Sequence, residues 1–210
     1  MKCKLLVKDN IDHFYDCDYD GIDFAFFIFN GEISLTEELN QPIIFKQLCK
    51  LSKESSIILF FHFVALIENK KYLSVMVIDN GRIIGVSDSI TAKEFCSAKR
   101  QRIYMTSKIK AGIVVDEDIF HTDSVSSLYQ NKADIIIFMT AKAVSERYLK
   151  AFYCHKFFND IDIVAAFGNR LCFFGKDTVF GNILNEYNFN ILKRCEEREV
   201  EKLINPSFEY

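Results

Sequence analysis

Residues Ile109–Phe120 read Ile-Lys-Ala-Gly-Ile-Val-Val-Asp-Glu-Asp-Ile-Phe, an apolar run of strand length that ends in three consecutive acids and passes into a helical stretch. A second apolar run, Ala133–Met139, follows after a gap that one helix fills. Strand, helix and strand in that order make a βαβ unit, which constrains the chain to an α/β fold. Asp116 stands at the end of the first strand, where the chain turns toward the helix.

The rest of the pattern supplies more strands. Lys4–Val7 reads as a first strand and Asp23–Phe29 as a second, apolar almost throughout and therefore buried on both faces. Asp9–Asp20 between them is acidic and aromatic, and too short for a long helix. Ser34-Leu35-Thr36-Glu37 has capping-box spacing, so a helix is expected to follow, restarted or kinked at Pro42, with Ile43, Ile44, Leu48 and Leu51 as its apolar stripe. Ile57–Ile67, Tyr72–Ile78 and Arg82–Val86 read as three successive strands, the last two joined by Asn80-Gly81, a strong hairpin signal because both residues tolerate positive φ. Ser145–Phe158 reads as a helix and Ile161–Ala166 as a strand. Asn190–Leu203 reads as a charged amphipathic helix with Ile191, Leu192, Cys195, Val200 and Leu203 apolar, able to dock on the core or on a partner. With 210 residues, 50% of them hydrophobic, the chain can bury one large core. It is expected to form a single domain over residues 1–210, with 186–210 a C-terminal helical tail.

The order of these elements resembles the core of the nitrilase, or carbon-nitrogen hydrolase, superfamily, where a Gly-leading strand ends in Cys-Tyr-Asp before a helix and a Gly-Ala-Asp-led strand. Gly112 and Asp118 match, and Lys132-Ala133-Asp134 fits the start of the second strand. Gly81–Val86 resembles the family's hairpin strand, Asn159-Asp160 and Ile163–Ala166 its next helix end and strand, and Cys172–Thr178 stands where a Phe-Gly-Gly-Ser turn would occur. The resemblance covers about Asp23 to Phe180. It implies a four-layer αββα sandwich shortened at both ends, with the first helix cut down or lost. It also implies a homodimer paired through Thr122–Gln130 and Ser145–Phe158.

Hydrolysis in that family uses a thiolate nucleophile, a glutamate that moves protons and a lysine that stabilises the tetrahedral intermediate. The matching positions hold Asp116, Phe29 and Ser89. Three losses together imply a protein without the hydrolase activity, left with binding or assembly. The alternative is a divergent hydrolase of linear amides with relocated residues, for which Glu32, Lys93, Glu117, Asp118, Cys154 and Cys172 are the pocket candidates. Three extended residues span about 10 Å, far more than a catalytic contact tolerates, which disfavours relocation from Phe29 to Glu32. A small-molecule pocket with Phe29 on its wall and Asp116 and Asp118 on its floor would suit an amine or cation.

No cofactor and no metal are expected. Consecutive carboxylates rarely converge on one ion, and Asp118 is better read as serving a helix start by accepting from its free N–H groups. The cysteines at 3, 17, 49, 96, 154, 172 and 195 show no Cys-x-x-Cys spacing and read as reduced thiols in small core positions. His155 is next to Cys154, but helical neighbours point about 100° apart, so it reads as a surface or dimer-contact histidine. His62 reads as a hydrogen-bonded core residue, and His121 as the start of the helix after the acids. A net charge of −3 gives no general attraction to nucleic acid or to anionic membrane, and the Lys99–Arg102 run reads as a solvated face. Met1–Val7 is too short for a secretory signal and Ile57–Ile67 too short to cross a bilayer, so a cytoplasmic location is expected.

Overall fold

The computed structural model describes residues 2–8, 11–35, 42–91, 94–96, 103–175 and 186–188. Two sheets pack face to face. The first is built from β1 (Lys2–Lys8), β2 (Phe24–Ser34), β3 (Ile58–Ile67), β4 (Lys70–Asp79), β5 (Arg82–Asp88) and β11 (Glu186–Asn188), in the order β11-β1-β2-β3-β4-β5. The second is built from β6 (Ile103–Met105), β7 (Lys110–Val115), β8 (Ile135–Met139), β9 (Asp162–Phe167) and β10 (Arg170–Phe174), in the order β10-β9-β8-β7-β6. Helix α1 (Ile43–Glu54) covers the first sheet, and α2 (Thr122–Gln130) and α3 (Glu146–Asn159) cover the second. The architecture is the αββα sandwich expected from the sequence.

Alternation along each strand divides the side chains between layers. Phe24, Phe26 and Ile28 of β2 enter the core between the sheets with Phe60, Val75 and Val77 on one side and Ile113, Val115, Ile137 and Val164 on the other. Ala25 and Phe27 turn outward to meet Phe14, Phe61, Phe63, Phe45 and Leu48 under α1. Val114, Ile136, Phe138 and Ala165 form the third layer beneath α2 and α3. Burial on both faces explains why these strands lack hydrophobic alternation in the sequence. The βαβ reading holds, since β7 pairs parallel with β8 from Ala111↔Ile135 to Val115↔Met139. Gly112 lets α2 come close: a Cβ there would lie 3.1 Å from the Leu128 side chain.

The structure corrects several details. Strand β2 continues through Ser34, which pairs with Leu66 after an irregularity between Ile28 and Glu32; Thr36 and Glu37 of the capping box lie outside the described residues. Helix α1 begins after Pro42, the restart expected there, and the proline ring suits a helix start. Between β1 and β2 the expectation holds: among the described residues a 3-10 turn, Ile11–Phe14, stands where a long helix would be. Cys172–Phe174 lie in strand β10, hydrogen-bonded to β9, rather than in a turn. Strand β6 has no signal in the sequence because only three residues pair. The Asn80-Gly81 hairpin is present, with φ of 48° and 76°. Residues 36–41, 97–102, 176–185 and 189–210 lie outside the described residues, and with them Glu37, the Lys99–Arg102 run and the 190–203 segment.

Polar ties fix one end of the sandwich. Lys108, just before β7, forms an ion pair with Asp23, just before β2. Asp79, at the end of β4, accepts from the backbone N–H and the hydroxyl of Ser107. The starts of β1, β2 and β7 therefore share one end of the molecule, and the ends of β2, β3, β7 and β8 share the other.

Candidate functional site

The carboxyl ends of parallel strands are where an α/β fold gathers chemistry, because the chain must turn there and its turns are free to vary. At that end β7 runs into the 3-10 turn Asp116–Phe120, and Asp116 has φ of 48°, a left-handed conformation that aspartate tolerates better than most residues. Its side chain is almost fully buried. Oδ1 accepts hydrogen bonds from Thr140 Oγ1 and from the Tyr148 hydroxyl, both at 2.9 Å, and Oδ2 lies 3.0 Å from Lys142 Nζ. Thr140 follows β8, Lys142 lies in the next turn and Tyr148 is on α3, so three successive segments converge on one carboxylate.

The charges follow from this packing. Burial raises the Tyr148 hydroxyl above its ordinary range, and the negative charge of Asp116 raises it further. Burial would lower Lys142, but the hydrogen bond and charge of Asp116, followed by those of Glu117 at 3.3 Å, outweigh it and hold the ammonium above its usual value. Lys142 is 52% exposed, so its contribution is screened by water.

His62 faces this turn from the other sheet. It pairs in register with Ile28 and with Val75, both in the core between the sheets, and its ring is within electrostatic reach of Asp116. Neither ring nitrogen has a hydrogen-bond partner among the described residues, which corrects the expectation of a hydrogen-bonded core histidine. Burial pushes its pKa down to about 4, against the opposing pull of Asp116, so the ring is neutral at pH 7.

Asp118 does different work. It does not cap its own helix: Oδ1 and Oδ2 accept from the backbone N–H of Ile90 at 3.0 and 2.9 Å, and Oδ1 accepts from the Thr91 N–H at 3.0 Å, from Thr91 Oγ1 at 2.7 Å and from Ser89 Oγ at 3.0 Å. The buried carboxylate thereby clasps the loop after β5 to the turn after β7, joining the two sheets. Helix α2 starts at His121 without a side-chain cap.

The positions singled out in the sequence separate. Ser89 and Asp116 lie at the same end of the molecule, linked through Asp118. Phe29 lies elsewhere: its ring stacks on Phe61 with centroids 6.3 Å apart, on the outer face of the first sheet, so close over Gly31 that a Cβ there would meet it at 2.3 Å. Phe29 and the two aspartates do not wall one cavity. Glu32 lies on the inner face, since Ile33 beside it packs outward, and it forms an ion pair with Lys71, whose neighbour Tyr72 also packs outward. Both partners are about half exposed. Cys154 is exposed on α3, Cys172 is buried beneath that helix, and Lys93 lies outside the described residues. His155 is buried, not superficial, and bonds through Nε2 to the Ile119 carbonyl. Among the described residues no group of His, Cys, Asp or Glu is arranged to hold a metal ion.

Lys71, Thr140, Lys142 and Tyr148 carried no signal of their own in the sequence. Thr140 and Lys142 follow the end of a parallel strand adjacent to β7, and that placement is the cue that could have found them. A cavity of about 380 Å³, lined by Ile103, Met105, Lys110, Ser127, Leu128 and Asn131, lies away from this end.

No protein-family model matches the sequence and no curated protein matches it, whereas solved structures do. The NitN amidase from a Nesterenkonia species aligns with a TM-score of 0.66 at 11% identity, over 97% of this chain and 98% of the amidase. A carbon-nitrogen hydrolase from Helicobacter pylori aligns with a TM-score of 0.66 at 14% identity, over 97% and 92% of the two chains. Nit3 of Saccharomyces cerevisiae, a member of branch 10 of the nitrilase superfamily, aligns with a TM-score of 0.61 at 12% identity over 76% of this chain, which spans 66% of the length of Nit3.

Proposed function

We propose that this chain, whose fold is that of the nitrilase or carbon-nitrogen hydrolase superfamily, is a single-domain binding or assembly protein without thiol-dependent hydrolase chemistry. The observation that carries this reading is the state of Asp116. No thiol stands at the turn after β7, and the carboxylate there is committed to Thr140, Tyr148 and Lys142. A nucleophile needs a lone pair directed at substrate and a base to activate it. Asp116 has its oxygens bonded within its own sheet and layer, and the nearby imidazole of His62 is held near a pKa of 4, poorly matched to proton transfer at neutral pH. The proposal includes a cytoplasmic location and pairing of two copies, which the resemblance implies; among the described residues no helix is long and apolar enough to cross a membrane.

One observation favours a second reading. The Glu32–Lys71 pair places a carboxylate and an ammonium together on the inner face, at the same end as His62. A hydrolase of linear amides built on that pair is the alternative. Ammonia release from a panel of short aliphatic amides separates the two. The binding protein releases none above buffer. Release that disappears in Glu32→Gln and in Lys71→Met would overturn it in favour of the hydrolase. Sedimentation velocity reads the pairing directly.

A further inference from the structure

Helix α3 ends in an apolar surface that the fold leaves uncovered among the described residues. Phe157 and Phe158 are 83% and 74% exposed, and their rings meet edge to face with centroids 5.3 Å apart. Cys154, also exposed, shares their face at i, i+3 and i+4 spacing. Two adjacent exposed phenylalanines are a large apolar area to leave in water.

The path of the chain indicates what covers them. Because α3 leads into the start of β9, and β9 is parallel to β8 and β7, Phe157 and Phe158 lie at the end of the molecule fixed by Lys108 and Asp23. Strand β11 runs antiparallel to β1 and brings Asn188 beside Lys2, whose own N–H bonds Asp23 at 2.9 Å, at this same end. The edge also agrees: β11 borders β1, β1 packs against β10, and α3 lies over β9 and β10 with Tyr153 against Phe174 at 5.6 Å. The chain thus leaves Asn188 at the end and the edge where α3 finishes. The sequence that follows, Asn190–Leu203, carries Ile191, Leu192, Cys195, Val200 and Leu203 among charged residues. Fourteen residues at helical rise reach about 21 Å, twice the width of a helix.

We infer that residues 190–203 dock their apolar side on the Phe157–Phe158 surface of α3 within the same chain, the rest of the α2–α3 layer remaining open for pairing. This goes beyond the reading of the Asp116 end and does not depend on it. Docking puts Cys195 near Cys154, which gives a direct test in the unmodified full-length protein. A short bismaleimide should join Cys154 to Cys195 in a species of monomer mass, identified by peptide mapping. The link should vanish in Cys195→Ser and in the double variant Phe157→Asp with Phe158→Asp, whose folding circular dichroism verifies; both side chains are exposed in the structure. A Cys154–Cys195 link found only at dimer mass would show a second copy on this surface and overturn the inference. Complete alkylation of both thiols without any link, or a link indifferent to the double variant, would overturn it equally.

Discussion

At the scale of single residues, His62 and Asp116 carry the sharpest consequences. The buried His62 ring stays neutral down to about pH 4, whereas in the unfolded chain it takes a proton near 6.5. Above 6.5 neither state is charged and the residue is silent; as pH falls from 6.5 toward 4 the unfolded state binds the proton first and stability is lost. The full loss is about 3 kcal/mol. His62→Leu should therefore flatten the acid limb of the stability curve by that order in urea titrations at pH 7 and pH 4.5. It should cost little at pH 7, because the substitution removes two nitrogens that lack partners. Asp116→Asn keeps a residue that accepts positive φ but removes the charge. A loss of about 2 kcal/mol is expected from the weakened bonds to Thr140 and Tyr148. Tyr148 should also ionise at lower pH in the variant, followed by ultraviolet difference titration, since one of the two main causes of its raised value is gone.

At the scale of elements, short segments hold the site in place. The turn after β9 lies against the turn after β8: Gly168 N–H donates to the Lys142 carbonyl at 2.9 Å, and a Cβ on Gly168 would come within 2.1 Å of the Ala141 carbonyl oxygen. Gly168→Ala must push that backbone aside, costing about 1–3 kcal/mol by overpacking and displacing Lys142 from Asp116. If Tyr148 titrates in this variant as in the parent, the displacement has not reached Asp116. The Asp118 clasp is the second such device. Asp118→Asn leaves the amides of Ile90 and Thr91 competing for one oxygen, and a loss of about 3 kcal/mol is expected, with faster hydrogen exchange confined first to residues 89–91. Unchanged exchange there would show that the loop is held by other contacts. Both devices join chain segments far apart in sequence, so neither leaves a local pattern to read; the adjacency of Asp116 and Asp118 is visible, but their separate tasks are not.

At the scale of the whole molecule, the two sheets share one core and should unfold together. Phe60 is fully buried between them, near Phe26 at 5.2 Å and Phe24 at 6.0 Å. Phe60→Ala should cost about 3–5 kcal/mol. Circular dichroism and tyrosine fluorescence should still report one coincident transition in denaturant, and separated transitions would mean that the sheets are independent units. Tyr104 of β6 reinforces the union by lying across Gly85 of β5 and bonding Ser87 at 3.1 Å.

The sequence by itself determined most of the elements and their order, β6, β10 and β11 excepted, because burial on both faces, the Asn80-Gly81 hairpin and the run from Ile109 to Met139 are local patterns with few structural solutions. It also placed Asp116 at the end of its strand and Ser89 at the end of the hairpin. Facing was left to the tertiary structure. A strand apolar on both sides carries no mark of which side is inner, and only once Phe24, Phe26 and Ile28 had entered the core between the sheets did alternation put Phe29 outward and Glu32 inward. The partners of Asp116 and the pairing of Glu32 with Lys71 were likewise decided only when strands and helices far apart in sequence came together within each sheet and layer, since hydrogen bonds and charges act over a few ångströms of space and are indifferent to distance along the chain.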